Sequence, residues 1–197
     1  ADLVLAGKAG ALGARGRIDP VPLLGGAAKE ALAGGLAVVA ELTPNGDLTR
    51  LKLTADGRQF TGRLAGRINR AEERWTDAEL RLSLAEGSAL AKGWGVDGGL
   101  LTARLAGPLL TPIIDARLLA KRLALPGGLA LSDLSVAGIA DLNETGLSAP
   151  LVATATGLTG LPDTLKTLAG KWRAEGRLLY AKGQLQANDL KLASGPL

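Results

Sequence analysis

The chain of 197 residues contains no cysteine, no histidine and no methionine, and only one Phe, one Tyr and three Trp. Without cysteine there is no disulfide framework and no thiolate metal site, a state compatible with any compartment, an oxidising one included. Without histidine there is no Ser-His-Asp triad and no His-ligated metal. Scarce rings argue against a compact ball, since a globular interior of this size ordinarily uses more of them. Long apolar runs are also missing. The longest uncharged one, residues 31–40, falls well short of the ~18 to 20 residues of a spanning helix, and no signal-peptide pattern is present. The net charge is +4 with a pI near 9.6, but the Lys and Arg are spread along the sequence without interleaved aromatics. That is the pattern of a solvated face, and no nucleic-acid partner is expected.

What the chain does contain is alternation. Within residues 100–125, Leu101, Ala103 and Leu105 alternate with Thr102 and Arg104, and Ile114, Ala116, Leu118 and Ala120 alternate with Asp115, Arg117 and Lys121. Successive side chains of a strand point to opposite sides of a pleated sheet, so this text predicts strands with one apolar and one wet face. The same device recurs along the chain. Two short strands are expected within residues 2–18; Leu36, Val38, Ala40 and Leu42 lead to the turn signal Pro44-Asn45-Gly46-Asp47. Leu51 and Leu53, then Phe60, Leu64 and Ile68, then Leu80, Leu82 and Leu84 continue an antiparallel meander. Residues 87–99 are looser. Leu134 and Val136, Leu151 and Ala153, Trp172 and Leu178, and finally residues 185–192 supply further strands, about ten to twelve in all.

The period changes twice. Asp19 as N-cap, Pro20 at the first helical position and Leu23, Leu24, Ala27, Ala28, Ala31 and Leu32 at helical spacing predict a short helix ending at Gly34-Gly35. Leu161, Leu165 and Leu168 predict a second, between Pro162-Asp163 and Gly170. In both places a helix, a glycine stop and a re-entrant strand follow one another, which suggests an internal repeat of residues 19–42 and 160–178. The expected fold is therefore a mainly β protein: one curved antiparallel sheet forming an open groove, with two short helices. Ala1 and Leu197 both fall in strand-like text, so the 197 residues are expected to be a single elongated segment of a larger protein.

Chemical motifs are weak. Gly93-Trp94-Gly95-Val96-Asp97-Gly98 spells GxGxxG, but a dinucleotide loop opens a helix and the text after it alternates at period two, so a turn is expected. Asn143-Glu144-Thr145 spells a glycosylation sequon and is also expected to be a turn. Glu72-Glu73 and the scattered Asp residues fall in turns or on wet faces, giving no catalytic carboxylate pair. The expectation is a protein that is not an enzyme and uses no cofactor or metal. The apolar stripe is either the core of a packed sandwich or the lining of an open groove for acyl chains. Small Ala and Gly residues interleaved with Leu favour the groove. Its lining is expected to comprise Leu36, Val38, Leu51, Leu53, Leu64, Ile68, Leu80, Leu82, Leu101, Leu105, Ile114, Leu118, Leu134, Val136, Leu151, Trp172 and Leu178.

The cadence Leu105-Ala106-Gly107-x-x-x-x-Pro112-x-Ile114-x-Ala116-x-Leu118-x-Ala120, with the helix-to-strand units at residues 21–38 and 161–174, resembles the AsmA-like superfamily of Gram-negative envelope proteins, in particular the TamB type and its YdbH relatives. The likeness is one of pattern and covers most of the chain. It implies a hydrophobic β-groove folded like a taco, a parent protein anchored in the inner membrane and reaching across the periplasm, and phospholipid passage between the two membranes. It also implies an outer-membrane partner of TamA or lipoprotein type, met through other parts of the parent protein. The alternative it carries is a scaffold that assists outer-membrane protein assembly by strand addition.

Overall fold

The computed structural model describes residues 2–8, 10–18, 35–91, 93–143, 146–164, 169–181 and 184–195. Among them fifteen strands form one antiparallel, curved and unclosed sheet. Twelve follow one another across it in chain order, starting with β1 (Asp2–Lys8), β2 (Ala11–Ile18), β3 (Leu36–Asn45), β4 (Leu48–Asp56), β5 (Phe60–Asn69) and β6 (Arg74–Leu84). Two short strands, β7 (Ser88–Ala91) and β8 (Trp94–Asp97), intervene before β9 (Leu100–Pro108), β10 (Ile113–Ala124), β11 (Ala130–Asn143) and β12 (Gly146–Ala155). After the brief β13 (Gly157–Thr159), the sheet ends with β14 (Trp172–Ala181) and β15 (Gln184–Ser194). At ~4.8 Å per strand the twelve-strand path extends roughly 55 Å.

Two expectations need correction. No α-helix occurs among the described residues; Pro126–Gly128 form a 3-10 turn, and Asp163 and Thr164 are also in 3-10 conformation. The helix expected from Asp19 lies outside the described residues. Of the second, residues 165–168 also lie outside, and Leu161 and Pro162 are irregular. The second correction concerns residues 87–99, where the looseness of the text hides a hairpin. β8 lies on β10 in the register that β9 continues, Arg122 opposite Asp97 and Leu119 opposite Leu100, so β8 and β9 are one long strand kinked at Gly98, φ 61°. The GxGxxG spelling is thus strand β8, with left-handed glycines Gly93 and Gly98 on either side of it.

A second interrupted strand sits across the sheet. β12 and β13 share one register on β11, broken at Thr156. There the Thr156 hydroxyl donates to the Asp133 carboxylate at 2.8 Å, and Asp133 takes φ 47°. Gly98, Lys121-Arg122, Asp133 and Thr156 lie side by side and mark a crease across the strands. Beyond it, Val96 (3 % exposed) packs with Ala120 and Leu134, and Leu84, Leu123, Leu131 and Val136 close around them. Since Leu84, Ala120, Leu134 and Val136 belong to the apolar face, the flap formed by β7, β8 and the adjoining strand ends folds toward that face. The opposite rim is tied by its turns: Asn69 Oδ1 accepts from the Ala71 and Glu72 amides, Arg70 donates to Gly46 O, and Trp75 Nε1 donates to Leu109 O.

Candidate functional site: the apolar face

Residues paired across an antiparallel ladder share a face, so the registers decide where each expected lining residue stands. Val38 faces Ala55, Leu51 faces Gly66, and Leu53 faces Leu64, which in turn faces Leu80. Leu82 meets Leu101, Leu101 meets Leu118, and Leu118 meets Val136; Leu105 meets Ile114. Ala120 faces Leu134, Gly138 faces Leu151, Ala155 faces Trp172 and Ala149 faces Leu178. Leu36 keeps the phase of Val38, and Ile68 that of Gly66. All seventeen residues stand on one face. Sixteen are half-buried and Leu134 is buried, whereas Lys52, Arg63, Glu79, Arg104, Asp115, Arg117, Glu175 and Arg177 on the reverse are exposed.

No large side chain among the described residues is fully enclosed. A sheet packed on a second sheet would enclose many of them, so the half-burial comes from curvature and from neighbours on the same face. Between β11, β12, β14 and β15 this face dips into an apolar hollow of about 130 Å³. Its floor is Ala153, Ala174 and Gly176, and Val136, Leu151, Leu178, Ala187 and Leu190 stand around it. Dry apolar cavities of about this size accept small hydrocarbons. The Thr49 hydroxyl, opposite Pro44 and Ile68, is buried on the apolar face and has no hydrogen-bond partner. No cluster of three metal-ligating side chains occurs among the described residues. Nor, among them, is any helix long and apolar enough to cross a membrane.

Trp75, Ala187 and Leu190 belong to the same face but do not follow from strict alternation. In β6 the register shifts between Trp75 and Ala78, so that Thr76 and Asp77 both point outward and Trp75 stays inside. In β15 a shift opposite Glu175 and Arg177, with Asp189 at φ 54°, leaves Ala187 and Leu190 together on the apolar side. The sequence signal is a pair of consecutive polar residues between two apolar ones, Trp75-Thr76-Asp77-Ala78 and Ala187-Asn188-Asp189-Leu190. No protein-family model, curated protein or solved structure matches the chain.

Proposed function

We propose that this chain is a segment of a periplasm-spanning hydrophobic β-groove that carries phospholipid between the inner and outer membranes of a Gram-negative envelope. The observation that carries the reading is the unsealed apolar face, on which seventeen apolar side chains from nine strands converge without a second layer among the described residues. Soluble monomers seldom leave apolar patches larger than a few hundred Å² uncovered. An acyl chain is a fitting occupant because each methylene moved out of water contributes ~0.8 kcal/mol, with no requirement for directional partners. Head groups stay in water at the rim, and no bond is made or broken. A partner of TamA or lipoprotein type would meet other parts of the parent protein.

A photo-reactive residue placed at Leu53, Leu105 or Leu151 should crosslink phospholipid in a membrane extract, while the same group at Val39 or Val152, exposed on the reverse face, should not. Equal labelling from both faces would remove the groove from consideration. The second reading, strand addition to an unfolded outer-membrane protein, is favoured by the two outer strands, β1 and β15, each paired on one side only. Proline substitutions in β15 separate the two, because they block an edge without altering the apolar face of β4 to β12.

A further inference from the structure

The polar face has an order that the sequence conceals. Arg63, Arg81 and Arg117 are 18 and 36 residues apart in the chain, yet the ladders set them in one row, Arg63 opposite Arg81, Arg81 opposite Thr102 and Thr102 opposite Arg117. The next row runs Lys52, Ala65, Glu79, Arg104, Asp115, and the one beyond it Arg50, Arg67, Asp77. Two arginine pairs, Arg50 with Arg67 and Arg63 with Arg81, stand directly opposite each other. Like charges so placed destabilise a sheet, and nothing in the fold requires them. One member of each pair is met by a carboxylate, Arg67 by Asp77 at 3.1 Å and Arg81 by Glu79 at 2.7 Å. Arg50, Lys52, Arg63, Arg104 and Arg117 have no ion-pair partner among the described residues.

We propose that this face, from β4 to β10, is a docking surface for an anionic phospholipid bilayer. With strands ~4.8 Å apart and residues ~3.3 Å apart along them, the cations cover an area on the order of 20 Å by 13 Å. Short side chains, Ala65, Thr102 and Ala106, stand between them, and the arginines and Lys52 are exposed. Around Thr102 the arginines Arg81, Arg104 and Arg117 border a hollow of about 400 Å³, with Glu79 and Asp115 at its edge. A planar array of phosphates meets all these groups at once. A nucleic acid would be served by a groove with stacking rings, and the three rows contain no aromatic residue. The surface lies on the reverse of the apolar face and does not depend on what that face binds.

The test is co-sedimentation with vesicles of 30 % phosphatidylglycerol in phosphatidylcholine, against vesicles of phosphatidylcholine alone. Wild type should bind the anionic vesicles, and less so as salt is raised. Each cation near a bilayer contributes roughly a fivefold change in partitioning, so the triple variant Arg63→Gln, Arg104→Gln, Arg117→Gln should bind about a hundredfold more weakly. A control of equal charge, Arg15→Gln, Arg173→Gln, Arg177→Gln, should lose much less. Leu53→Asp, on the other face, should bind as wild type does. Equal loss in both triple variants would leave only a net-charge effect and overturn the proposal, as would undiminished binding by the first of them. Binding to duplex DNA with none to anionic vesicles would overturn it too.

Discussion

At Gly138 a Cβ would fall on the Pro150 carbonyl oxygen and on Leu151 Cδ2, and at Gly66 it would lie 2.8 Å from the Asp77 oxygen and closer still to the Ala78 side chain. Both glycines lie in the apolar face beside a larger partner, Leu151 and Leu51 respectively. Gly138→Ala and Gly66→Ala should each destabilise the fold by about 1–3 kcal/mol through overpacking. Gly62, whose Cβ would stay 3.7 Å or more from its neighbours, should accept alanine without loss. Denaturant titration of the three variants checks this. Thr49 gives the opposite sign. Its hydroxyl is buried and unpartnered, so Thr49→Val keeps the shape, removes a desolvated polar group and should stabilise by roughly 1 kcal/mol, read as a raised midpoint.

Among the elements, the flap is where packing is tightest. Val96→Ala should cost about 1–2 kcal/mol and Leu134→Ala about 2–4, the range for buried aliphatic truncation. Leu53→Ala, from the half-buried and unsealed part of the same face, should cost less than either. Hydrogen exchange should show Val96→Asp opening the amides of β7 and β8 while β3 to β5 stay protected, because the residues packed around Val96 come from β6, β10 and β11. These elements also show what the sequence could and could not reveal. Alternation alone locates β3, β4, β5, β9 and β10, and puts the seventeen apolar residues in phase, since a one-residue error would have moved a whole strand to the wrong face. Strict alternation fails at Thr76-Asp77, Lys121-Arg122, Ser132-Asp133 and Asn188-Asp189, where two polar residues in succession reset the phase and bend the sheet. Each doublet is visible in the text, but its meaning depends on the partner strand. Residues 87–99 are obscured by glycine, which weakens any pattern it interrupts.

At the scale of the whole molecule, the described residues form a sheet of two unlike faces. One gathers Leu, Val and Ala and leaves them partly uncovered; the other gathers arginine, and its ion pairs, such as Arg173 with Glu175, are exposed and contribute little to stability. An ordinary packed core would join the apolar faces of two layers, and among the described residues there is one. We propose that the uncovered face holds acyl chains. It is tested most directly by native mass spectrometry of the purified chain, with lipid extraction, comparing wild type with Leu53→Asp and Leu105→Asp after circular dichroism has established that both variants fold. Phospholipid should be bound to wild type and lost from both folded variants. A lipid-free wild type, or lipid retained equally by the aspartate variants, would contradict it.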